Sequence, residues 1–197
     1  MATISRIPMI DVAKGIGIIL VVIGHTNLPT LVMNLIYAFH VPLFFVLSGM
    51  VFNMNKSLTE LFVNKFRTLL VPYYFFGVFV TLALFLQSSS FDFSSVFDFI
   101  VFGTGYNSAL WFVAHLFVLT IYAHLWLLVK NKIILYAALI LHLSVGLKFV
   151  DISITTAWRF DLLPLSFSLF AIGYLFRDII VGFASSLRGC CHSFAMV

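Results

Sequence analysis

The 197-residue chain is hydrophobic at 62% of its positions and charged at 9%, with a mean hydropathy of +1.14, a balance that a water-soluble domain of this length could not keep. Its formal charge of +4 is small and dispersed, with no stripe of Lys and Arg, which excludes a nucleic-acid-binding surface. Cys190 and Cys191 are adjacent and near the end, so neither a disulfide framework nor a CxxC metal site is available. They read as free thiols in a tail, with juxtamembrane palmitoylation as a second reading.

Apolar runs long enough to cross a bilayer predict six helices, near 9–27, 34–53, 67–87, 108–129, 132–149 and 161–182. The apolar piece from Phe91 to Gly103 carries Asp92 and Asp98 and is too short to cross, so it is expected to lie at the interface. Backbone groups in lipid must bond within their own segment, and no alternating pattern suggests a barrel. The expected fold is therefore all-α: a polytopic bundle of about six transmembrane helices over residues 1–182, with a short atypical tail over 183–197.

Positive charges set the orientation. With the N-terminus in the cytoplasm, Arg6, Lys14, Lys56, Lys65, Arg67, Lys130, Lys132, Arg177 and Arg188 lie inside or at the inner boundary, and only Lys148 and Arg159 lie outside. The first span lacks a small-residue cleavage site and leads directly into further spans, so it is not a cleaved signal peptide.

The first span carries Asp11, Lys14 and His25. Eleven residues at about 100° each return to within about 20° of three full turns, so Lys14 and His25 share one face, ~16 Å apart along the axis. Ionisable groups inside spans are functional candidates, whereas those near span ends are also explained by a lysine reaching the inner headgroups beside Asp11 and a histidine capping the outer end. In the second span His40 is expected at the outer start, where a short connection could bring it near His25 as a proton-transfer partner; an interfacial histidine beside a Pro42 kink is the alternative. Lys65 and Arg67 are expected at the cytoplasmic entrance of the third span, either as ordinary topology signals or as a clamp for the phosphates of a cytosolic donor.

Of the remaining histidines, His115 lies in the outer half of the fourth span. A His25/His40/His115 metal site is conceivable but lacks a close-spaced ligand pair, and no metal is expected. His124 and His142 are expected to bond to neighbouring helices. The 24 Phe read as lipid-facing bulk and packing, and Trp111, Trp126 and Trp158 as an interfacial belt or a substrate platform.

Five segments together, IDVAKGIGIILVVIGH, FHVPLFFVLSG, KFRTLLVPYYFF, SALWFVAHLF and FSLFAIGYLFRD, resemble the acyltransferase 3 family of integral-membrane acyltransferases, in the family's order and across nearly all of residues 6–178. The FHVPLFF form looks most like the sugar O-acetylase branch. The resemblance implies transfer of an acetyl group from cytosolic acetyl-CoA to a hydroxyl of a surface or exported glycan, in the bacterial cytoplasmic membrane, with no bound cofactor. It places the family's histidine at His25, with His40 as a candidate partner, and its donor-binding basic residues at Lys14 and Arg67, with Lys65 beside them. Many members carry arginine where this chain has Lys14, which supplies charge without a bidentate fork. Members also continue for several helices beyond the GYLFRD segment, so the resemblance implies a C-terminally truncated chain. On that footing a non-catalytic membrane fragment or a transporter-like component of glycan export is the alternative.

Overall fold

A computed structural model describes residues 7–88, 93–102, 110–149 and 156–182. Every regular element among the described residues is helical: α1 (Pro8–Gly24), α2 (Thr30–Met50), α3 (Leu58–Lys65), a π-helical turn (Phe66–Leu70), α4 (Val71–Ser88), α5 (Phe93–Phe102), α6 (Trp111–Leu127), α7 (Lys132–Phe149), a 3-10 turn (Ala157–Leu162) and α8 (Leu163–Leu175). Residues 177–182 are helical again. The expectations for Asp92, Gly103, the two cysteines and the 183–197 tail fall outside the described residues.

Among the described residues two helices are long and apolar enough to cross a membrane: α2, of 21 residues, and the continuous helix Leu58–Gln87, of 30. Six spans were expected; α1 and α6 have 17 residues each and α8 has 13, against the roughly 20 that a bilayer core requires. The distribution of side chains is that of a protein solvated by lipid. Val12, Ile18, Ile19 and Val22 on α1, and Ile133 and Ile140 on α7, are all more than half exposed, while His40, His115, Thr120, His124, His142, Ser166 and Ser168 are buried. Water would favour the reverse arrangement.

Helix boundaries differ from the sequence expectation at three places that matter for the site. α1 stops at Gly24, so His25 is its C-cap and not part of a longer span. α2 begins at Thr30, which places His40 midway along it and not at its start. Lys65 and Arg67 lie within one long helix beginning at Leu58, because Ser57 and Glu60 form a capping box that starts the helix early: Glu60 N–H donates to Ser57 Oγ and Ser57 N–H donates to Glu60 Oε2.

The chain divides into two compact units, Met1–Phe52 with Leu169–Val197, and Asn53–Ser168. In the first, α1 packs on α2 through Gly17, where an added Cβ would lie 2.8 Å from the Phe44 ring, and through Gly24, where it would meet Ile36 at 3.2 Å. The end of α8 then meets α2 backbone to backbone. A Cβ on Gly49 would lie 1.9 Å from the Phe170 carbonyl oxygen, and one on Gly173 would lie 2.0 Å from the Val46 carbonyl oxygen. Small residues allow this approach, which replaces the hydrophobic drive that lipid removes. Ile10, Leu47 and Met50 form the neighbouring core, with Ile180 and Val181 packed against it.

The second unit is centred on Leu70, Tyr73, Phe99, Ala114 and Phe117. Tyr73 stacks on Phe99 with ring centroids 4.7 Å apart and donates its hydroxyl to the Phe99 carbonyl at 2.6 Å, so its one polar atom is satisfied within the core. Gly77 leaves room for the same Phe99 ring, and Gly146 lets α7 approach the backbone of Leu165. Before α8, Trp158 and Arg159 both take left-handed backbone conformations, φ 44° and 56°, that non-glycine residues rarely adopt. Several bonds hold them there: Arg159 chelates Asp161, with Nη2 at 2.9 Å from Oδ2, Thr156 Oγ1 donates to Asp161 Oδ1, and Trp158 Nε1 donates to the Ile100 carbonyl.

The α2–α8 contact predicts a large penalty for a single methyl group. Gly49→Ala should lower stability by about 1–3 kcal/mol, because backbone on both sides must move. Gly15→Ala, with open space around its Cβ, should be neutral or gain up to about 1 kcal/mol from helix propensity. Thermal unfolding in detergent micelles reads both, and a Gly49→Ala protein as stable as the parent would contradict the packing described.

Candidate functional site

His25 and His40 meet through a residue that the sequence reading did not single out. Tyr37 lies between them, with ring centroids 6.1 Å from His25 and 5.3 Å from His40, and its hydroxyl donates to the Gly24 carbonyl at 3.2 Å across the α1–α2 contact. The expected proximity of the two histidines therefore takes the form of a His25–Tyr37–His40 ladder of rings. Tyr37 sits three residues before His40 on the same helix face, and that spacing was the available signal.

Both imidazoles are tied in the same way. His25 Nδ1 lies 2.8 Å from the Val21 carbonyl, and His40 Nδ1 lies 2.7 Å from the Ile36 carbonyl, each four residues back on its own helix. A carbonyl oxygen only accepts, so Nδ1 carries the hydrogen and the neutral ring presents a lone pair at Nε2. His25 is exposed and His40 is 4% exposed. Of the two, His25 is the imidazole whose Nε2 an incoming hydroxyl can reach. The end of α1 is what exposes it: its own N–H donates to the Val22 carbonyl, Thr26 Oγ1 donates to the Ile23 carbonyl, and Pro29 is the N-cap of the next helix.

Lys14 lies on the same helix, half-buried, with Asp11 exposed three residues before it. In the second unit, Arg67 is exposed and Lys65 half-buried, on or beside the π-helical turn. That turn has a local cause. Pro72 has no N–H to offer the Thr68 carbonyl and its ring crowds it, and the Val71 N–H reaches back five residues to the Phe66 carbonyl. The helix widens by one residue where Arg67 projects, a distortion common at functional sites. Sequence showed Pro72 but not that the helix would continue through it.

His142 and His115 are also buried. His142 Nδ1 donates to the Ala138 carbonyl at 2.6 Å and Nε2 accepts from the Tyr122 hydroxyl, inside a box of Tyr122, Trp126 and Phe167 rings. This is the neighbouring-helix bonding expected of it. His115 bonds to the Trp158 carbonyl and to Ser166 Oγ, a pairing that 51 residues of separation hid from the sequence reading. Among the described residues no group of three His, Cys, Asp or Glu side chains could hold a metal ion. Ser166, Ser168 and Gly173 are buried against protein.

Comparison with known proteins bears on the whole chain. A family model, described as an acyltransferase domain, matches residues 7–189. No curated protein and no solved structure matches. The matched region contains the histidine ladder, the π-helical turn and both glycine contacts, and extends over nearly all of the sequence. The chain belongs to the acyltransferase 3 family and is a membrane acyltransferase.

Proposed function

We propose that this chain O-acetylates a sugar hydroxyl of a surface or exported glycan, using cytosolic acetyl-CoA, in the bacterial cytoplasmic membrane. The observation that carries the reading is the state of His25: an exposed imidazole at the end of α1, its Nδ1–H held by the Val21 carbonyl and its Nε2 directed away from that bond. Such a ring is oriented and committed to one tautomer before substrate arrives, as a general base must be.

His25 Nε2 takes the proton of the acceptor hydroxyl as its oxygen attacks the acetyl carbonyl, and the CoA sulfur leaves as the thioester bond breaks. Tyr37 and His40 limit the movement of the ring from the α2 side. The donor is anionic, and three cations suit its phosphates. Arg67 offers a fixed fork from the widened turn and Lys65 lies two residues before it; the family resemblance assigns Lys14 of α1 to the donor as well. The α1 rise of ~16 Å from Lys14 to His25 matches an extended pantetheine arm running from a cytosolic phosphate end to a reacting thioester at the other face.

Three outcomes follow from these roles. His25→Ala should lower glycan acetylation by about 10²- to 10⁴-fold while the protein remains in the membrane, measured as acetyl esters on the glycan of cells expressing it; acetylation at the parent level would remove His25 from the chemistry. Arg67→Ala should raise the KM for acetyl-CoA about tenfold with little change for the acceptor, and Lys14→Arg should be tolerated better than Lys14→Ala. Equal tolerance of the two Lys14 substitutions would reduce that residue to an orientation signal. For topology, with Cys190 and Cys191 replaced by Ser, Asn27→Cys should react with an impermeant maleimide applied outside intact cells, and Asn55→Cys only after permeabilisation. The opposite pattern would place His25 on the cytoplasmic side and overturn the exported acceptor.

A further inference from the structure

The second unit contains a nucleophile and a base in hydrogen-bond contact that the proposed chemistry of His25 does not use. Ser166 Oγ lies 2.8 Å from His115 Nε2, and His115 Nδ1 lies 3.1 Å from the Trp158 carbonyl. Ser166 is 1% exposed and His115 is fully buried. The Trp158 oxygen can only accept, so it fixes the hydrogen on Nδ1 and leaves Nε2 to receive the serine proton. A nucleophile bonded to a base, with the base oriented by a third group, is the arrangement that activates serine for acyl transfer.

Two further features favour a reactive pair over a passive packing contact. The orienting carbonyl belongs to Trp158, whose backbone is left-handed together with that of Arg159, a strained conformation held by Asp161, Thr156 and the Ile100 carbonyl. In addition, the Ser166 hydroxyl has a second acceptor, the Leu163 carbonyl at 3.1 Å. With a neutral imidazole the hydroxyl donates to Nε2; with a protonated one Nε2–H donates to Ser166 Oγ and the hydroxyl turns to Leu163. The proton can therefore sit on either side of the contact with every donor satisfied. Ser168, two residues on, donates to the Pro164 carbonyl and has no imidazole.

We propose that Ser166 is a covalent acyl-acceptor site, with His115 as its base, so that the enzyme carries an acetyl-serine ester between donor and acceptor. The proposal rests on the thioester donor named above. On this route the acceptor meets the serine ester with His115 as its base, in place of direct attack on the thioester assisted by His25. Label at Ser166 with acetylation that survives His25→Ala is its distinguishing result. In the first half, Ser166 Oγ bonds to the acyl carbon, its proton passes to His115 Nε2, the carbon–sulfur bond breaks, and the departing CoA sulfur takes that proton to leave as the thiol. In the second, an acceptor hydroxyl oxygen attacks the ester carbon, its proton passes to His115 Nε2, and Ser166 Oγ departs and regains a proton from the imidazole. No redox partner is needed. Burial out of contact with water protects the ester from hydrolysis between the two halves.

The test uses the purified full chain in detergent with acetyl-CoA isotopically labelled in the acetyl group and no glycan, followed by proteolysis and mass spectrometry, with glycan acetylation measured in cells alongside. The expected result is label on Ser166 and none on Ser168. Ser166→Ala should lose the label and the cellular activity, Ser166→Cys should recover label as a thioester, and His115→Gln should slow labelling about 100-fold or more. A wild-type protein that acetylates glycan but never carries label at Ser166 would overturn the acyl site and leave the proposed function standing, as would a Ser166→Ala protein that acetylates at the parental rate. Label at Ser166 without any glycan acetylation would uphold the acyl site and overturn the proposed acceptor. Absence of both overturns both.

Discussion

Hydrocarbon offers no hydrogen bonds, so each polar group that this chain takes out of water must find its partner in the protein. The histidines show how the constraint is met. His25, His40 and His142 each tie Nδ1 to the carbonyl four residues back on the same helix, a bond that needs no neighbouring element. The remaining nitrogen is then available for a second partner: the Tyr122 hydroxyl for His142, and an incoming reactant for an exposed ring such as His25. Tyr73 and Ser168 settle their hydroxyls on backbone carbonyls in the same way. Local satisfaction lets titratable groups sit among aliphatic side chains at modest cost, and it also fixes their tautomers.

Where local bonds are broken, the structure changes shape. Pro72 withdraws one donor from the long helix that begins at Leu58, and the helix answers by widening over Phe66–Leu70 and not by stopping. Pro42 withdraws a donor from α2 two residues past His40, yet that helix also runs through. Pro42 and Pro72 thus sit inside helices that run on through them, consistent with the tolerance of proline in membrane proteins.

The membrane character was legible from composition, because 62% hydrophobic residues suit lipid and not water, and the helices from the length of the apolar runs. The family was legible from five segments in order. Other features depended on information that periodicity does not carry. The Ser57–Glu60 capping box moved a helix start by nine residues, from 67 to 58, because a cap can extend a helix through polar sequence that a hydropathy window rejects. The Ser166–His115 contact joins residues far apart in sequence, and the left-handed Trp158–Arg159 pair uses residue types that give no hint of positive φ. Tyr37 was visible but looked like one more aromatic residue among many.

The paired glycines of α2 and α8 act as a gauge of depth. With no side chain between them, the Val46 and Phe170 carbonyl oxygens rest against the opposing Cα atoms, close enough for weak C–H···O contacts. Sliding one helix past the other by a single residue would drive a Cβ into a carbonyl, so the contact permits one register and rejects its neighbours. Gly49 lies nine residues from His40 on the same helix, about 13 Å along its axis. The level at which that histidine sits within its unit is therefore set by a backbone lock some two and a half turns away, and a loosened lock would shift an imidazole without touching it.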